Sequence, residues 1–165
     1  MKSIKKRNAK LKILSQVVHY DAEESETRGS SDIRSESAQK PTVENITLTT
    51  DCTVALKGDR FEIEYAESEL TGMEGAATKI YFDAVNPRLV SLLREGSVRT
   101  ALVFEEGKRH HCVYETPYFP IELCVDTLAL DNTLTFGGGR FFAEYLIEMN
   151  GILAEKTKIS ITLVG

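Results

Sequence analysis

From Asn45 to Lys57 the chain alternates apolar and polar residues with a period of two. Ile46, Leu48, Cys52, Val54 and Leu56 share one parity, with Thr50 among them; Asn45, Thr47, Thr49, Asp51, Thr53 and Lys57 share the other. Successive side chains of a strand point to opposite faces, so this stretch reads as one long strand with a dry face and a wet face. A strand of that kind has to bury its dry face against other elements. The same period returns along the chain. Residues 10–19 place Leu11, Ile13 and Val17 on one parity, with Ser15 between them. Phe61, Ile63 and Tyr65 follow, then Val98, Leu102 and Phe104, then Phe141, Ala143, Tyr145, Ile147 and Met149, and finally Ile159, Ile161 and Leu163.

The punctuation fits hairpins. Gly58-Asp59 is a Gly-first two-residue turn, and Asn150-Gly151 is the strongest short hairpin signal present. Glu95-Gly96, Glu106-Gly107 and Gly137-Gly138-Gly139 supply further turns. Asn86-Pro87 closes a strand opened by Ile80-Tyr81-Phe82, and Val90 and Leu92 carry the next series to Arg94. Ile121, Leu123 and Val125 are odd while Leu128 and Leu130 are even, the phase change that a β-bulge produces. No stretch keeps a helical period. Roughly ten short strands joined by hairpins leave a sandwich or a meander barrel. Long alternating strands with sequential hairpins favour an all-β, antiparallel up-and-down barrel of about eight to ten strands.

A length of 165 residues suits a single domain with its own core. The net charge of −5 is unevenly spread. Residues 2–12 carry Lys2, Lys5, Lys6, Arg7, Lys10 and Lys12 without an acid, and residues 1–9 read as a basic, solvated tail. From Asp21 to Pro41 the one aliphatic side chain larger than Ala is Ile33, so 20–42 reads as a mobile acidic, Ser-rich loop. The acidic body disfavours a nucleic-acid partner, whose affinity is built mainly on phosphate neutralisation. Lys12, Ser15 and Gln16 interrupt the apolar run that a signal peptide needs, and nothing approaches a membrane helix. Cys52, Cys112 and Cys124 are odd in number, which points to reduced thiols and a cytoplasmic protein.

Several local sequences together resemble a known family. They are the Glu69-Leu70-Thr71-Gly72-x-x-Gly75 run, the Arg94-Glu95-Gly96 turn, Phe104 with Gly107, and Tyr114-Glu115-Thr116-Pro117-Tyr118. In order and spacing they resemble the YwiB-like family of bacterial proteins, across about residues 44–165 and the strand at 10–19. The resemblance implies a calycin-like, lipocalin-type barrel and carries over no catalytic residue. The acidic insert at 20–42 is not typical of that family. Phe119 stands where the family usually has Gly.

The candidate chemistry concentrates at His110-His111-Cys112-Val113-Tyr114. On a strand only His110, Cys112 and Tyr114 share a face, so His110 and Cys112 offer two ligands where a structural zinc site takes four. No metal and no cofactor is expected. Cys112, beside Arg109, His110 and His111, is the best placed of the thiols for reactivity, but nothing else completes a nucleophile pair. No nucleophile elbow, phosphate loop or dinucleotide fingerprint is present. Arg94 continues the inward parity of Val90 and Leu92, and a buried guanidinium needs a partner: a carboxylate such as Glu69, an anionic ligand group, or water at a strand end. The leading expectation is a small-molecule binding barrel for an apolar or anionic ligand, with Arg94, His110, Tyr114 and Tyr118 as polar handles near one mouth. The alternative is a packed interaction module, with a homodimer among its forms, and an enzyme comes last. Membrane binding is not expected.

Overall fold

The computed structural model describes residues 3–20, 41–67, 75–96 and 99–164. The expected loop at 20–42 lies almost wholly outside them. Among the described residues are ten strands: β1 Ile4–His19, β2 Thr42–Lys57, β3 Arg60–Ala66, β4 Ala77–Asp83, β5 Asn86–Glu95, β6 Arg99–Glu105, β7 Arg109–Glu115, β8 Pro120–Asn132, β9 Gly139–Met149 and β10 Ile152–Val164. Each pairs antiparallel with the next in sequence, and β1 closes the circle on β10 through Lys10↔Val164 to His19↔Glu155. This is the closed up-and-down barrel that the alternation predicts.

The hairpin chemistry is as read. Gly58 takes φ 62°, and Asn150 and Gly151 take 51° and 83°. The register shift between Thr127 and Ala129 is the bulge that the phase change at 125–128 announces. A second shift, between Leu153 and Glu155, had no such signal because no apolar series runs through it. Pro87 sits near the start of β5 instead of closing β4; the turn is held by Val85 N donating to Asp83 Oδ1 at 3.0 Å.

One boundary is corrected. The first strand begins at Ile4, not at 10, so residues 4–9 of the expected basic tail belong to the barrel wall. They pair with Cys52–Lys57 through the backbone, which asks nothing of side-chain polarity. Lys6, Asn8 and Lys10 face water, while Arg7 lies on the inward parity of Leu11 and Ile13. Arg7 Nε donates to the Phe136 carbonyl at 2.8 Å, and its guanidinium lies 5.4 Å from the centre of the Phe136 ring. That satisfies much of an otherwise costly inward charge.

The core runs the length of the barrel and includes Leu11, Val54, Phe61, Ile63, Ile80, Val90, Phe104, Val125, Phe141 and Ile161, all at most 2% exposed. The wall is weakest between β6 and β7, which meet through the single register pair Arg99↔Glu115. There Thr127 of β8 helps join the wall: its Oγ1 accepts from Glu105 N at 3.3 Å and its carbonyl from Gly107 N at 2.9 Å.

Candidate functional site

In a meander, alternate connections fall at the same end. The β1–β2, β3–β4, β5–β6, β7–β8 and β9–β10 connections therefore share one end, called the mouth below. At the mouth, five inward apolar series each continue into a charged or titratable residue of the same parity. His19 follows Leu11, Ile13 and Val17; Glu44 precedes Ile46 and Leu48; Glu67 follows Phe61, Ile63 and Tyr65; Arg94 follows Val90 and Leu92; Glu155 precedes Ile159 and Ile161. All five line a cavity of about 280 Å³. Val17, Leu48, Leu102, Ile147 and Ile159 form its apolar wall, and Tyr65, Tyr145 and Thr157 add hydroxyls.

One side of the cavity holds a buried ion pair. Arg94 Nε donates to Thr78 Oγ1 at 3.3 Å and lies 3.6 Å from Glu67 Oε2, and Thr78 Oγ1 donates to that same oxygen. The Glu67 side chain is 1% exposed and that of Arg94 18%. Burial drives the Tyr65 hydroxyl far above its usual range, and the Glu67 carboxylate pushes the same way. Of the three partners open to Arg94 from sequence, a carboxylate, an anionic ligand group or water at a strand end, a carboxylate faces it, that of Glu67 and not Glu69, which lies outside the described residues.

β1, β2 and β10 contribute a rim triad to the same cavity. His19 Nε2 is 3.2 Å from Glu44 Oε1, and its Nδ1 is 3.5 Å from Glu155 Oε2. A neutral imidazole can donate to one carboxylate at a time, whereas a protonated one donates to both. Burial raises the Glu155 pKa; His19 opposes the shift and Glu44 adds to it. Tyr145 feels both sides of the cavity. Burial pushes its hydroxyl up to about 12, with Arg94 acting against the shift and Glu155 adding to it.

The four residues singled out from sequence are not gathered at one place. Arg94 lines the cavity. Tyr114 is half-buried on the inner face of β7, packed against the core. Tyr118, in the β7–β8 turn, is 87% exposed. His110 lies at the far end of β7, about 13 Å along the strand from Tyr114, and its Nε2 is 3.0 Å from Glu105 Oε1. Phe119 fits its turn without a positive φ, because Thr116 Oγ1 accepts from the Tyr118 and Phe119 amides and donates to the Phe119 carbonyl. What the reading missed were His19, Glu44, Glu67 and Glu155. The parity that identified Arg94 was available for each of them.

Among the described residues no group of three or more His, Cys, Asp or Glu is placed to hold a metal ion. The three cysteines are free thiols; burial raises the pKa of each, the opposite of what activates a nucleophile. A larger groove of about 670 Å³ passes over Asn8, Asp51, Thr53 and Glu64, where β2 and β3 part. It is shallow and open to solvent, so the mouth cavity is the better candidate.

A family model described as a domain of unknown function, DUF1934, matches residues 31–161. The crystal structure of the ywiB protein from Bacillus subtilis superposes with a TM-score of 0.63 at 16% identity, covering 96% of this chain and 94% of that one. At that identity the shared property is the fold. No curated protein matches the chain. Among the described residues no helix is long and apolar enough to cross a membrane.

Proposed function

The chain belongs to the DUF1934 family, whose description names no activity, and from the mouth cavity we propose that it is a small-molecule binding barrel. The supporting observation is the pairing of an apolar wall with convergent polar groups in one cavity, the usual make-up of a ligand site. A volume of about 280 Å³ suits a small occupant with an apolar body. Arg94 alone would favour an anion. With Glu67 against it, its charge is already matched, and burial of the apolar body supplies most of the affinity.

The test is native mass spectrometry of freshly purified protein, together with titration of the neutral fluorescent probe N-phenyl-1-naphthylamine. Retained small-molecule mass or saturable probe binding at one site per chain is expected. Val17→Phe narrows the mouth and should weaken the probe by about tenfold or more, the equivalent of 1.4 kcal/mol. No retained mass and no saturable probe binding would sink the reading.

A second reading, an interaction module, draws on the exposed Tyr118 and Phe119 of the β7–β8 connection and on Ile152 at the start of β10, all at the mouth end. Exposed aromatic groups of this kind are common interface anchors. Light scattering across a concentration series tests it: a homodimer that Tyr118→Ser with Phe119→Ser dissociates would favour it, and a monomer throughout would remove its homodimer form.

A further inference from the structure

Resting on the proposed binding role, we infer that the mouth cavity selects a basic ligand: an apolar chain or ring ending in a protonated amine or a comparable cation. The inference comes from how the charges of the lining are matched. Glu67 and Arg94 face each other on one side, buried and supported by Thr78, and neutralise one another. On β2 and β10, Glu44 and Glu155 share one imidazole, that of His19 on β1. Among the described residues, the titratable groups lining the cavity are thus three carboxylates against one guanidinium and one imidazole, with two phenols that stay neutral at ordinary pH. With the three carboxylates ionised, these groups keep an excess of negative charge even when His19 is protonated.

The excess sits where a head group would sit. The apolar side chains Ile13, Leu48, Leu102 and Ile147 line the same cavity, and the His19 triad is the more solvent-exposed of its two polar groups. A carboxylate or phosphate entering there would meet Glu44 and Glu155 and would find Arg94 already engaged. An ammonium would find acceptors on both carboxylates. It would also relieve Glu155, whose ionised form burial and Glu44 disfavour. Charge-assisted hydrogen bonds to a partly desolvated carboxylate are the stronger kind.

The experiment compares octylamine, octanol and octanoate, which share a chain and differ in head charge. Each is titrated into the full-length protein and followed by the methyl resonances of Leu102 and Ile147. We expect octylamine to bind about tenfold tighter than octanol, with octanoate the weakest. Glu155→Gln combined with Glu44→Gln should cut the amine-over-alcohol ratio to about threefold or less. In the unmutated protein, raising ionic strength from about 0.02 M to about 0.5 M should shrink the same ratio, which needs no variant to fold. Octanoate binding as tightly as octylamine, or a ratio unmoved by both the substitutions and salt, would overturn the inference and leave the binding barrel standing. If none of the three shifts the Leu102 or Ile147 methyls, the binding reading falls too.

Discussion

At the end of the barrel where β2 turns into β3, Phe61 and Phe82 stack with ring centroids 4.8 Å apart, and Phe104 lies 6.0 Å from Phe141. Phe136 is at the same end, with Arg7 laid over it. At the mouth the inward parities finish instead on His19, Glu44, Glu67, Arg94 and Glu155, around open space. One set of strands thus builds a plugged end and a polar, hollow one. Large aromatic side chains fill the closing taper and bury the most area per residue. Charged groups cannot be packed that way, because each needs a partner or water. Stability is concentrated at the aromatic end, whereas the mouth carries the proposed binding site.

The largest effect should come from breaking the plug. Phe104→Ala removes a ring packed against Phe141 and Tyr145 and should cost about 3–5 kcal/mol, read from urea unfolding. Next comes the buried ion pair of the mouth. Arg94→Met leaves Glu67 without its guanidinium and should cost about 2–3 kcal/mol; the double variant with Glu67→Gln should recover part of that. Third is alkaline pH. The Tyr145 hydroxyl titrates near 12 in the folded protein against 10.0 ordinarily, so the folded state holds its proton more tightly. The stability this contributes is fully present below pH 10 and is lost as pH rises towards 12, with Tyr65 acting in the same direction. Absorbance titration of the phenols beside alkaline unfolding would check it; two tyrosines ionising near pH 10 without unfolding would instead mean that the mouth is wetter than the burial of Tyr65 and Tyr145 implies. The smallest effect belongs to the mouth hairpin. Asn150→Ala, at φ 51° and without the contact from Glu122 N, should cost about 1 kcal/mol, whereas Asn150→Gly should cost less.

Much of the fold was legible before any coordinates. Period two from Ile46 to Leu56, the turns at Gly58 and Asn150, and the phase change after Val125 are local signals, and each led to the element it implied. The beginning of β1 was not legible, because Lys5, Lys6 and Arg7 look like a solvated tail until Val54, Ala55 and Leu56 are found beside them. The candidate site was read only in part. Arg94 was found by extending an apolar parity. His110 and Tyr118 stand near Tyr114 in sequence, but proximity along a strand spreads residues over its length instead of converging them.

The sequence by itself determined which side chains face inward, because the two-residue period is a property of the extended backbone and needs no partner. It also determined where the chain reverses, through residues that tolerate positive φ. Only the closed barrel decided which inward groups meet. Glu67 met Arg94 because β4 brings Thr78 between their strands, and His19 met Glu44 and Glu155 because β1 lies between β2 and β10 when the ring is shut. Register and closure are long-range pairings, fixed by the sum of many strand contacts and written in no single stretch of chain.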